Sequence, residues 1–81
     1  MVSNNDLEKL ADLLERRLSV IADQKLREEN PDEQLKQLQE VSEAIADWHE
    51  EFKGGLKPRL EHFMQNCSYE NALSWIRQEL A

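Results

Sequence analysis

The residues with the greatest capacity for chemistry are concentrated between positions 47 and 69. This stretch holds both histidines, His49 and His62, the only cysteine, Cys67, and both glycines. Imidazole and thiolate groups bind zinc and act in acid–base or nucleophilic catalysis, but each role needs partner groups at a defined spacing. No histidine or cysteine follows His49 at the third or fourth position, where a metal-binding helix would place one. We therefore predict no catalytic residues, no cofactor, no bound metal and no enzymatic activity, and we interpret the stretch as a hinge between helices.

Each of the three residues has a simpler structural interpretation. His49 falls near the centre of an apolar helix face, which predicts a partly buried side chain hydrogen-bonded to a backbone carbonyl or a carboxylate. His62 points away from the apolar side of its helix and is predicted at the surface. Cys67 continues an apolar stripe and is predicted to be a small core residue.

Glycine and proline divide the chain into helical pieces. They occur only at Pro31, Gly54, Gly55 and Pro58, and no stretch alternates polar and apolar residues as a strand would. The spacing of apolar residues predicts helices over 5–29, 31–53, 57–66 and 69–80.

Capping residues mark the helix starts. Asn5 is predicted as the first N-cap, with Glu8 as its capping-box partner. Asn30 is predicted as the next N-cap, followed by Pro31 at the first helical position and Glu33 in the box. Because the link at Asn30 is so short, the two long helices must lie antiparallel.

These elements predict an all-α fold with residues 1–81 in a single domain. A long antiparallel helical hairpin carries two short C-terminal helices as a third layer, which makes a three-to-four-helix bundle. The predicted core contains Leu10, Leu14, Leu18, Ile21, Leu38, Val41, Ile45, Phe52, Leu60, Phe63, Leu73 and Ile76.

Charge and cysteine content limit the classes of function and location. The net charge is −7, with 14 acidic and six basic residues through Phe52, and a net of +1 from Lys53 onward. An acidic surface repels phosphate backbones, so nucleic-acid binding by the molecule as a whole is not expected. The chain has one cysteine, no secretory-signal pattern at its N-terminus and no long apolar run. These features predict a cytoplasmic protein without a membrane span.

Three apolar residues lie away from the faces predicted to form the core. Leu13 and Val20 lie off the main stripe of the first helix, and Trp75 lies nearly opposite Leu73 and Leu80. Leu13 and Val20 reach either a neighbouring helix or a second subunit, and Trp75 either folds over its own bundle or lies at an interface. We therefore predict a self-associating protein–protein interaction module, with a homodimer as the default geometry and no small-molecule substrate.

The alternative function is a DNA-binding regulator. Ser68, Ala72 and Trp75 in "QNCSYENALSWIRQ" resemble the turn and second helix of a helix-turn-helix, so the DNA-binding segment would be 57–80. The resemblance implies nucleic-acid contacts from Arg59, Asn71, Arg77 and Gln78.

Overall fold

The computed structural model describes residues 2–81 and confirms the all-α fold. Within this range the chain forms five α-helices and no strand. One turn of 3-10 helix at Lys53–Gly55 follows the third helix. The helices are α1 (Asn4–Ala22), α2 (Gln24–Glu29), α3 (Pro31–Phe52), α4 (Pro58–Gln65) and α5 (Tyr69–Leu80).

The N-cap of the first helix lies two residues earlier than predicted. Ser3, not Asn5, is the N-cap: the Asp6 backbone N–H donates to the Ser3 hydroxyl at 3.2 Å. The Ser3 backbone N–H donates to the Asp6 carboxylate at 3.1 Å, which completes a capping box. The prediction was wrong because the Ser3–Asp6 pair satisfies the N-cap and N3 backbone N–H groups between them, two residues before the predicted Asn5–Glu8 pair.

The predicted long first helix is interrupted at Asp23. This residue ends α1 and begins α2, and its carboxylate accepts from the Leu26 backbone N–H at 3.0 Å. The Arg27 guanidinium donates to the Ile21 carbonyl at 2.7 Å, so a carbonyl left free at the end of α1 gains a partner. A short acidic side chain that hydrogen-bonds to the nearby backbone competes with continuation of the helix. The spacing of apolar residues gives no sign of this competition.

The antiparallel hairpin of the two long helices is as expected. The Asn30 side chain caps α3 by accepting from the Glu33 backbone N–H at 3.3 Å, with Pro31 in the first turn. The reciprocal half of the predicted box does not form, because the Asn30 backbone N–H donates to the Leu26 carbonyl at 2.8 Å.

Two side-chain hydrogen bonds join α1 to α3, one near each end of the hairpin. The buried Gln34 amide donates to the Val20 carbonyl at 3.0 Å near the tip. The Trp48 indole N–H donates to the Asp6 carbonyl at 3.0 Å near the other end. Since position 34 meets 20 and position 48 meets 6, α1 and α3 run antiparallel along their lengths.

The last two helices form the third layer of the bundle. α5 packs along α1 and against α4, while α4 lies over the C-terminal end of α3. An ion pair between Arg77 and Glu15 joins α5 to α1 at the surface.

The buried apolar residues other than Val20 form one cluster shared by α1, α3, α4 and α5. Leu18, Phe52 and Phe63 pack partly buried against it, whereas Ile21 and Leu38 are half-exposed and lie outside it. Met64 is a buried member that the sequence pattern did not indicate. The cluster consists of Leu10, Ala11, Leu14, Val41, Ile45, Trp48, Leu60, Met64, Ala72, Leu73 and Ile76. Within residues 2–81, no helix has the length and apolar content needed to cross a membrane.

Candidate functional site

The first candidate is the pair formed by His49 on α3 and Glu61 on α4. The His49 Nε2 and Glu61 Oε1 atoms are 2.9 Å apart, and the two side chains are 25% and 22% exposed. This arrangement agrees with the sequence interpretation of His49 as a partly buried residue bonded to a carboxylate. The Gln65 side-chain amide, one turn further along α4, donates to the same Glu61 oxygen at 3.0 Å.

The electrostatics of Glu61 favour its ionised form. Burial raises the pKa of the Glu61 carboxyl, but hydrogen bonds from His49 and Gln65 and the nearby positive charge of Lys53 outweigh it, so the pKa lies below its usual value. Its second oxygen, Oε2, is buried and has no hydrogen-bond partner among residues 2–81. An ionised carboxylate held this way acts as an acceptor that joins α4 to α3.

The other two residues of the reactive stretch do not join this pair. His62 is exposed, as predicted, and the Asn66 side chain lies beside its ring. Cys67 is exposed as well, so its predicted place in the core was wrong. Within residues 2–81 no three His, Cys, Asp or Glu side chains converge as metal ligands would.

Cys67 is exposed because it forms the turn that ends α4. Its φ of 55° places it in the left-handed region. The Cys67 N–H donates to the Met64 carbonyl at 3.2 Å, and the Ser68 N–H donates to the Phe63 carbonyl at 2.8 Å. This is the Schellman motif, whose left-handed position is usually glycine. The apolar stripe therefore ends before Cys67.

The residues predicted to contact nucleic acid are only partly brought together. Arg59, Asn71 and Gln78 line a shallow depression of about 270 Å³ between α4 and α5, with Trp75 beside them. Arg77 is instead ion-paired with Glu15. Of the two arginines in the predicted set, only Arg59 faces the depression.

Trp75 is half-buried and packs against the core, so it folds over its own bundle. The Lys57 ammonium lies 5.9 Å from the centroid of its ring and 3.1 Å from the Glu79 carboxylate. Trp75 also lines a cleft of about 300 Å³ near the start of α1, together with Leu7 and Leu56.

The two off-stripe residues of α1 have different environments. Val20 is only 7% exposed, so the chain itself covers this side chain. Leu13 is half-exposed and faces an open groove between α1 and α3 of about 470 Å³. The groove is lined by Lys9, Asp12, Leu13, Ala44, Asp47, Trp48 and Glu51.

We call this groove the α1–α3 groove, and we call the apolar part of its lining the floor. Leu13, Ala44 and Trp48 form the floor, and Trp48 is held by its hydrogen bond to the Asp6 carbonyl. The Trp48 ring also contacts Phe52, with ring centroids 4.8 Å apart. Sequence reasoning found Leu13 but missed Ala44, because an alanine beside a core stripe gives no sign of whether a neighbouring helix covers it.

Among residues 2–81, Leu35 is the most exposed large apolar residue, with 57% of its surface accessible to solvent. It lies nine residues before Ala44, which at 100° per residue puts it about 180° away, on the opposite side of α3. Leu35 is therefore outside the α1–α3 groove.

Comparison with protein-family models, with curated proteins and with solved structures finds no match to this chain.

Proposed function

We propose that this protein is a non-enzymatic protein–protein interaction module whose α1–α3 groove binds a helix of another protein. The observation that carries the proposal is the open α1–α3 groove, whose apolar floor consists of the partly buried Leu13 and Ala44 together with the buried Trp48. Two packed helices leave a groove along their seam into which a third helix fits at about 8–10 Å between axes. Within the fold, α5 packs along α1.

The groove is suited to binding because its floor is preformed. The indole N–H of Trp48 is bonded to the Asp6 carbonyl, and the ring packs against Phe52, so no rotamer change is needed before a partner docks. A preformed surface loses less conformational entropy on association than a mobile one.

The exposed thiol of Cys67 supports the cytoplasmic location. Cys67 is the only cysteine and is accessible to solvent. A free exposed thiol persists in a reducing compartment and becomes oxidised in a secretory one.

The self-association and DNA-binding hypotheses make different demands on the surface. Self-association was predicted from Leu13, Val20 and Trp75, of which Leu13 alone lines the α1–α3 groove. DNA binding would rely on Arg59 with Asn71 and Gln78, and its affinity would fall steeply as salt rises. Both hypotheses stay predictions, and the experiment below separates them from the proposed function.

The test is site-specific photocrosslinking in an extract of the source cell, before and after nuclease treatment. A benzophenone amino acid replaces Asp47 on the wall of the groove, or Leu35 on the opposite face as the matched control. We expect a protein crosslink from position 47 that is absent from position 35 and unaffected by nuclease. The captured protein is then purified and titrated against the wild type and three variants: Leu13→Ser, Ala44→Phe and Leu35→Ser.

We expect Leu13→Ser and Ala44→Phe to weaken binding and Leu35→Ser to leave it unchanged. If Leu13→Ser lowers the stability of the fold, Ala44→Phe still tests docking, because it fills the groove without removing a core side chain. Equal crosslinking from both positions would contradict the proposal, as would crosslinks that disappear with nuclease. A crosslink to a second copy of the chain would support self-association instead.

A further inference from the structure

We infer that the partner helix is amphipathic and basic, and that its basic side faces α3. This inference rests on the proposed function of the α1–α3 groove and adds the chemistry of the occupant. The wall that α3 contributes to the groove carries Asp47 and Glu51 and no basic residue. A partner helix therefore needs an apolar stripe for the floor and lysine or arginine beside it.

The acidic wall extends beyond the groove at regular spacing. Glu33, Glu40 and Asp47 recur every seven residues along α3, and Glu51 follows one turn after Asp47. At 100° per residue, all four lie within about 60° of the direction of Ala44. No lysine or arginine of α3 falls within that sector.

These carboxylates are free to interact with a partner. Glu40, Asp47 and Glu51 are exposed, and across residues 2–81 none of the four forms an ion pair. Glu33 accepts a hydrogen bond from Gln37 at 3.2 Å, which leaves its charge uncompensated. Acidic residues repeated every seven positions beside an apolar seam select a partner with basic residues at the flanking positions.

The two walls differ, and the difference sets the orientation of the partner. The wall from α1 carries Lys9 and Asp12, whose charges cancel. The part of the α3 wall that lines the groove is acidic, and the lysine of α3, Lys36, lies just outside that sector at about 80° from Ala44, so the electrostatic attraction acts along one side of the docked helix. The partner's lysines or arginines then lie on the side next to α3, and neutral or mixed side chains lie next to α1.

A second copy of this chain is a poor occupant by the same reasoning. Residues through Phe52, which contain the whole groove, carry a net charge of −8. A dimer joined through this face brings two such surfaces together, and like charges across an interface oppose association. Lys9 is the basic residue in the groove lining, and its single positive charge does not balance the acidic residues there.

The length of the acidic wall fixes the length of the partner segment. From Glu33 to Glu51 the wall spans 18 residue steps of helix, which is about 27 Å at 1.5 Å per residue. A partner helix of about 18 residues, or five turns, reaches all four carboxylates. Its apolar residues need the i, i+3, i+4, i+7 spacing of a single stripe.

The test uses two synthetic peptides of about 18 residues that are helical in isolation. Both carry the same leucine stripe, and their flanking positions are either all lysine or all glutamate. Binding of each labelled peptide to the full chain is measured by fluorescence anisotropy across a salt series. We expect the lysine peptide to bind at least about tenfold more tightly at low salt, and the difference to shrink as salt rises.

A charge-neutralised variant locates the effect. Glu40→Gln combined with Asp47→Asn should weaken binding of the lysine peptide about three- to tenfold. Glu28→Gln combined with Glu29→Gln removes the same charge from exposed positions on α2 and is the matched control. The control should bind the lysine peptide within about twofold of the wild type at moderate salt.

The outcomes separate this inference from the proposed function. Equal binding of both peptides at the groove, abolished by Ala44→Phe, would overturn the charge inference and support the groove as a docking surface. Binding of neither peptide would overturn the inference even if crosslinking at Asp47 identifies a partner, and that partner would then dock in another way. Equal loss of affinity in the wall variant and the α2 control would show that only net charge matters, and it would also overturn the inference.

Discussion

Replacing Cys67 with glycine should stabilise the protein. Cys67 holds φ at 55° in the Schellman turn that ends α4, and its side chain is exposed. A residue with a Cβ in the left-handed region costs about 1–2 kcal/mol, which glycine avoids. Glycine in turn loses about 0.5–1 kcal/mol more backbone entropy on folding. The net gain is therefore about 0.5–1 kcal/mol in the free energy of unfolding.

The thiol itself contributes little to this balance. The Tyr69 hydroxyl donates a hydrogen bond to the Cys67 sulfur at 3.7 Å. Sulfur is a weak hydrogen-bond acceptor, so Cys67→Ala should change the free energy of unfolding by less than about 0.5 kcal/mol. The alanine variant keeps the left-handed φ, so the difference between the glycine and alanine variants isolates the backbone effect.

The measurement is urea unfolding under reducing conditions, followed by far-UV circular dichroism. With a slope of about 1 kcal/mol per molar urea for so small a domain, Cys67→Gly should move the midpoint up by about 0.5–1 M. Ser74→Gly, at an exposed position within α5, is the control and should lower stability by about 0.5–1 kcal/mol. A Cys67→Gly variant no more stable than Cys67→Ala would refute the reasoning.

Three further predictions concern contacts that hold the bundle together. His49→Ala should lower the free energy of unfolding by about 1–2 kcal/mol in urea denaturation, because the Glu61 carboxylate loses a donor while its other oxygen is already unpaired. Trp48→Phe should lower it by about 1 kcal/mol in the same assay, because the Asp6 carbonyl loses the indole N–H. Hydrogen bonds from the Ser3 backbone and side chain lower the pKa of Asp6, so the stability from this cap should be present above the unfolded-state pKa and lost as pH falls through the folded-state value. Ser3→Ala should flatten the fall in thermal midpoint over that acidic range.

Matched variants test each of these contacts. Glu61→Gln keeps an acceptor for His49 and should cost less than His49→Ala, so a larger loss would contradict the proposed bond. Trp75→Phe removes an indole whose N–H forms no hydrogen bond within residues 2–81, so a loss equal to that of Trp48→Phe would contradict the specific role of the Trp48 N–H. An unchanged acid profile in Ser3→Ala would show that other carboxylates set it.

The local rules of helix formation were sufficient for most of the fold. Asn30 followed by Pro31 is a strong start signal because both residues act through their own backbone and side chain, and the structure places α3 where they indicate. The short link at Asn30 joins α2 to α3, and α3 runs antiparallel to α1 as expected. His49 lies among apolar neighbours on its helix, so its hydrogen bond to a carboxylate was predictable, although Glu61 as the partner was not.

The predictions at Asp23 and Cys67 were wrong because two short-range signals compete at each of these positions. At Asp23, a carboxylate that caps α2 opposes a continuous apolar stripe, and the cap interrupts the helix. At Cys67, the apolar spacing opposes the turn chemistry of the neighbouring Asn66 and Ser68, and the turn prevails. Periodicity alone cannot decide such cases, because it carries no information about the backbone hydrogen bonds gained by ending the helix.

The sequence by itself determined the helix faces, and only the tertiary structure decided which faces are covered. Leu13 and Val20 lie off the same stripe by nearly the same angle, yet Val20 is buried and Leu13 borders an open groove. Burial at such positions depends on how far each neighbouring helix extends and at what angle it crosses, which is set by packing over the whole bundle. Helical periodicity is a property of one segment, whereas a groove between α1 and α3 is a property of two segments and of the absence of a third beside them.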